Sequence, residues 1–161
     1  MAFTGIEPII VELKRRLEEE LQAEIDLINA EVEDGYPAGV PQQIYDYIPP
    51  VGELNYFPSI GIGDGPMRFE DDIGSSETAL FTPMIVVYEQ AASQQELAWR
   101  LRRLNQAVIR TVMAGRHLGE AAWGVTLQGS DPGPTLADDP SSPKEWVSWT
   151  GIRITCRRDE E

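Results

Sequence analysis

The sequence has 161 residues, 42% of them hydrophobic, with 27 acidic side chains against 13 basic ones and a formal net charge of −14. That length and apolar share predict one domain spanning residues 1–161, with a core of its own. The acidic balance argues against general nucleic-acid binding, which depends on neutralising phosphates. The single cysteine, Cys156, excludes an intrachain disulfide and any cysteine-rich metal site.

No apolar run is long enough to cross a bilayer, and no signal-peptide pattern is read at the start. The expected setting is a cytoplasm, or a particle assembled in one. In chain order, the first element is a helix over Glu7–Val32. Ile6, Ile10, Leu13, Leu17, Leu21 and Ile28 share one face, Pro8 suits the first turn, and Asp34-Gly35 ends it. The runs Lys14-Arg15-Arg16 and Glu18-Glu19-Glu20 read as a solvated face with local ion pairs. Residues 35–53 follow as a long irregular connection, punctuated by Pro37, Pro41, Pro49 and Pro50. Its Tyr36, Tyr45 and Tyr47 favour docking over free flexibility.

Leu54–Ile62 reads as a strand broken by Pro58, hence at an edge or bulged. The glycines of Gly61-Ile-Gly-Asp-Gly65 invite a phosphate-binding reading. Pro66 follows where a helix N-terminus would be needed, so a strand-end turn is the better reading. Residues 66–78, with Glu70, Asp71 and Asp72, read as an acidic loop or a short hairpin arm.

Phe81–Glu89 is β-branched and aromatic, and predicts a strand. Ser93-Gln-Gln-Glu96 is a capping box for a second helix. That helix carries Leu97, Leu101, Leu104, Val108 and Val112 at helical spacing and stops at Gly115. Trp99 and Met113, flanked by Ile109, form a second, sparser apolar row. It either packs beneath the first helix or meets another subunit, where aromatics, Met and Arg are enriched. Arg100, Arg102, Arg103, Arg110 and Arg116 against Glu96 make this helix a basic strip on an acidic protein.

Trp123–Leu127 is read as a third strand, 129–143 as a proline-rich loop, Trp146–Cys156 as the last strand and 157–161 as a charged tail. Ile152, Ile154 and Cys156 share one face of that strand, with Val147, Trp149 and Arg153 on the other. The expected fold is α+β, in the order α-β-β-α-β-β. It is a four-stranded, mainly antiparallel sheet with two helices on one face and long loops at 35–53, 64–78 and 129–143.

No residue pattern in the chain points to catalysis. His117 is the only histidine, which excludes a Ser-His-Asp triad or a His-rich metal site within one chain. Asp131, Asp138 and Asp139 match no dedicated calcium loop. No cofactor, no metal and no enzymatic activity are expected.

In layout the chain resembles the tail terminator, or tail-completion, family of long-tailed bacteriophages and the corresponding proteins of the tail–neck joint. The resemblance rests on the long opening helix and on Phe57-Pro-Ser-Ile-Gly-Ile-Gly-Asp-Gly65 after a Tyr/Pro-rich approach. It rests also on Thr82–Tyr88 leading through Ser93 into the amphipathic helix, and on a Trp-rich strand pair around a long loop. It implies a virion protein, not an enzyme: a hexameric ring that caps the tail tube, halts its growth and receives the head-side connector or stopper. It also implies a ring that lets DNA through without specific binding. A related head-completion, stopper or other adaptor protein is the second reading, and a small enzyme the third. Within a ring, Trp99, Arg100, Arg103, Arg110 and Met113 are expected on one contacting face. Glu70, Asp71 and Asp72 are expected on the other, and Tyr45 and Tyr47 are further contact candidates.

Overall fold

A computed structural model describes residues 5–71 and 77–160. Among them the chain forms two α-helices and eight strands in one mixed sheet. This corrects the expected four-stranded, mainly antiparallel sheet.

Three features of the sequence account for most of the difference. Gln43–Tyr45 (β1), inside the segment expected to be irregular, pairs in parallel with Ser59–Gly63 (β2) and makes the sheet mixed. The expected edge strand is therefore shorter than 54–62, starts after Pro58, and is flanked on both sides. The acidic arm supplies Met67–Asp71 (β3), which pairs with Glu77–Phe81 (β4). Thr82 and Pro83 then interrupt the strand expected over 81–89, leaving Met84–Ala91 as β5. A proline cannot donate a ladder hydrogen bond, so the division falls there. The register does not slip: Phe81 lies opposite Cys156 and Met84 opposite Arg153.

The remaining strands are Gly124–Pro132 (β6), Leu136–Ala137 (β7) and Trp146–Glu160 (β8). β6 and β7 run into the segment expected as loop, and β8 runs through most of the expected charged tail. The main strand order is β1-β2-β5-β8-β4-β3, with β6 and β7 pairing β8. β8 is antiparallel to β4, β5, β6 and β7, and so acts as the spine of the sheet.

The two helices, Glu7–Ala30 (α1) and Gln94–Met113 (α2), pack on each other and against the sheet. One core contains Ile9, Leu13, Leu17, Leu21 and Ile25 of α1 with Leu101, Leu104, Val108 and Val112 of α2. Their sheet partners include Ile60, Ile62, Ile85, Val87, Ile152, Ile154 and Cys156. Burial pushes the Cys156 thiol up to about 12. Ser93 caps α2 by accepting from the Glu96 N–H. Glu96 spends its carboxylate on Arg100 four residues on, at 3.3 Å. Gly115 stops the helix at φ +70°, a conformation that costs glycine little.

Part of the far face of the sheet is covered too. The crossover between β1 and β2 lies across it, so that Leu54, Val86 and Tyr88 form a second small core with Tyr45, Val51, Phe57 and Trp149 around it. The buried Tyr88 hydroxyl donates to the Pro49 carbonyl at 2.8 Å. This close approach explains the glycine motif. A Cβ on Gly61 would stand 2.8 Å from the Tyr47 carbonyl oxygen, and one on Gly63 would stand 2.5 Å from Ile48 Cδ1. Gly65 has the Thr82 carbonyl where its Cβ would be. Gly61 and Gly65 make room for backbone, and Gly63 for the Ile48 side chain.

Candidate interaction surface

The residues singled out on α2 sit on its outer side. The arginines there are mostly engaged within the chain. Trp99 is 40% exposed. Placed three and four residues before Arg102 and Arg103, it lies under both guanidiniums, at 4.9 and 5.1 Å from the ring centroid. Such stacking orders all three side chains.

Arg103 is 11% exposed. It donates through Nη1 and Nη2 to the two Asp34 oxygens at 2.7 and 2.5 Å, and through Nη1 to the Tyr36 carbonyl at 2.5 Å. The bonds from Arg103, helped by one from the Tyr36 N–H, hold the Asp34 carboxyl down to about 2. Arg100 donates to Glu96 and approaches the buried Glu89 at 4.0 Å. Burial pushes the Glu89 carboxyl up, against the pull of its bond from the Gln90 N–H and of the Arg100 charge. Met113 and Ile109 are partly buried against the main core. Arg110 and Arg102 are exposed. The outer row thus divides. Met113 belongs partly to its own subunit, whereas Trp99 presents a large part of its surface to the outside.

The expected acidic counterparts lie on another element. Glu70 is exposed on β3, Asp71 closes that strand, and Asp72 lies outside the described residues. Tyr45 and Tyr47 meet edge to face with centroids 5.4 Å apart. Tyr45 packs against the second core, and Tyr47 is exposed.

Sequence reasoning missed Arg16. Expected on a solvated face, it is buried, three residues after Leu13 and seven after Ile9. Its Nη1 donates to the carbonyls of Ala114 and His117 at 3.2 and 2.8 Å, just beyond the C-terminus of α2. A cation there suits the negative end of the helix dipole. The spacing from Leu13 was the available signal. Neighbouring Arg15 behaves as expected, pairing with Glu12 and Glu19.

The three aspartates weighed for calcium are separately engaged. Asp131 pairs with Arg153 at 2.6 Å. Asp138 accepts from the N–H groups of Lys144 and Glu145. Asp139 accepts from the hydroxyl and N–H of Ser141. His117 Nδ1 accepts from the Gly119 N–H at 3.2 Å, a turn-closing contact. No helix among the described residues is long and apolar enough to cross a membrane. Compared with known protein families and with curated proteins, the chain matches none.

Proposed function

We propose that the protein is a structural virion component. It forms a ring at the head-proximal end of a phage tail tube, ends tube growth and joins the tail to the head connector. The observation that carries this reading is the exposed Trp99, with the Arg102 and Arg103 guanidiniums over its ring, on the outer side of α2. A monomer gains little from holding an indole half in water. An aromatic–arginine cluster on an acidic protein is suited to an acidic or apolar partner surface.

A ring of identical subunits uses one repeated contact between unlike faces. The basic outer side of α2 and the acidic remainder of the surface supply such faces. The strongly negative balance also suits a channel through which DNA passes without being gripped. The test is a mass measurement of the purified chain, alone and mixed with the tail-tube protein. A closed oligomer that caps tubes and halts their elongation is expected. A ring that binds the head-side connector but ignores tubes would move the protein to the head-completion or stopper position, and a monomer under both conditions would overturn the reading. Trp99→Ala and the exposed pair Arg102→Glu/Arg110→Glu are the variants to use. Arg103 already holds α2 to the end of α1.

A further inference from the structure

We propose that β3 of one copy pairs antiparallel with β6 of the next, so that one sheet runs across the subunit boundary. The inference rests on the ring reading and adds a strand pairing to its contact. Among the described residues β3 hydrogen-bonds to β4 and β6 to β8, so each presents an outer row of backbone groups. Such rows are templates for another strand.

Strand direction selects the pairing. β4 and β6 are both antiparallel to β8, and β3 is antiparallel to β4. β3 and β6 therefore run in opposite directions at opposite margins of the sheet. Copies set side by side in the same orientation, as rotation around a ring sets them, bring β3 against β6 in antiparallel fashion.

The side chains agree with it. Met67 and Phe69 lie opposite Phe81 and Ala79, both in the helix-side core, and are 43% and 46% exposed. Leu127 lies opposite Ile154 of that core and is 39% exposed. Both margins thus show apolar side chains on the same face, where a joined sheet would place them together. On the other face, Glu70 is exposed on β3, and Arg157 reaches over β6 to donate to the Thr126 hydroxyl at 2.9 Å. The two margins are complementary in charge there as well, although Arg68 shares the face of Glu70. Partly exposed apolar side chains beside a strand edge invite aggregation unless a partner covers that edge.

Cysteine cross-linking tests this on the full chain, because native Cys156 is buried and leaves the background silent. Phe69→Cys/Leu127→Cys and Met67→Cys/Leu127→Cys cover two registers. Mild oxidation is expected to give a ladder of covalent oligomers from at least one double variant. Each single variant should stay uncross-linked, and mixed singles should stop at covalent dimers. A complementary probe is charge exchange: Glu70→Arg or Arg157→Glu alone should weaken assembly roughly tenfold or more, and the two together should restore it. Cross-linking of Phe69→Cys or Met67→Cys to itself would indicate a two-fold β3–β3 contact and overturn the proposal. A closed ring lacking cross-links in both double variants would overturn it while sparing the ring reading. A ladder from open filaments would do the reverse, and a chain that never associates would overturn both.

Discussion

Arg103 and Asp34 form a two-pronged ion pair, at 2.7 and 2.5 Å, that fastens the middle of α2 to the turn following α1. The same guanidinium holds the Tyr36 carbonyl, and two hydrogen bonds between Asn29 and Ala38 clamp the other side of the turn. The Asp34 carboxyl titrates at about 2 because Arg103 donates to its charged form. A carboxyl whose folded value lies below its unfolded one contributes its full stabilisation above about pH 4 and loses it as pH falls toward 2. Asp34→Asn should therefore melt below the wild type at pH 7, with the gap in Tm closing between pH 4 and 2. A gap independent of pH would show that charge at Asp34 is irrelevant to the clamp.

Arg16 does similar work at the other end of the helix pair. Its buried guanidinium satisfies the Ala114 and His117 carbonyls, which a shorter or apolar side chain would leave without that donor. Hydrogen bonds to charged groups are worth about 1.5–3 kcal/mol, and an unpaired buried carbonyl adds to the cost of deletion. Arg16→Met should destabilise by about 2–4 kcal/mol in urea titration, on a helix expected to keep its propensity. Arg16→Lys should recover only part of this, because an ammonium lacks the planar fork. Equal stability of Arg16→Met and wild type would mean that the two carbonyls are met by water.

The contrast between Arg15 and Arg16 shows where the sequence was legible. Both helices and the stripe from Leu97 to Val112 are regular, repetitive signals, and the structure buries every residue of that stripe. The facing of Ile152, Ile154 and Cys156 against Trp149 and Arg153 is also as the alternation predicts. What failed was counting strands. Whether Gln43–Tyr45 joins a sheet depends on a parallel neighbour sixteen residues away, and nothing in three residues encodes that partner. The length of β8 failed for a related reason: Arg157 and Arg158 look like a tail, yet β4 and β6 flank this part of the strand. On the surface, Trp99 was legible as an odd aromatic off the main stripe. The ties from Arg103 to Asp34 and from Arg16 to Ala114 join residues 69 and 98 positions apart, and single-residue chemistry does not announce them.

Glu89 is 1% exposed on β5, with Oε1 accepting from the Gln90 N–H and Oε2 at 4.0 Å from Arg100 Nε. Burial raises its carboxyl above the usual range. For a group whose folded value is raised, the stabilisation is complete below the unfolded value and is lost as pH rises through the folded one. Glu89→Gln keeps an acceptor for Gln90 without the charge, so it should melt at or above the wild type at pH 7–8. The difference should shrink as pH is lowered toward 4. A Glu89→Gln protein that melts well below wild type at pH 8 would mean that the ion pair with Arg100 outweighs the desolvation it costs.

Gly61 and Gly63 separate the packing account of the glycine motif from a phosphate-binding one. At Gly61 the obstacle to a side chain is rigid: the Tyr47 carbonyl oxygen at 2.8 Å and the Ile48 Cα at 3.2 Å belong to the crossover backbone that Tyr88 holds in place. At Gly63 it is the end of the Ile48 side chain, 38% exposed and free to take another rotamer. Overpacking costs about 1–3 kcal/mol, so Gly61→Ala should fall in that range and Gly63→Ala below it. Ile48→Ala should relieve Gly63→Ala and leave Gly61→Ala as it was, which a double-mutant cycle in denaturant can resolve. Were the motif a phosphate cradle, both alanine variants would keep their stability and lose affinity for inorganic phosphate. Equal losses at the two positions, unrelieved by Ile48→Ala, would show that the crossover is not what the glycines accommodate.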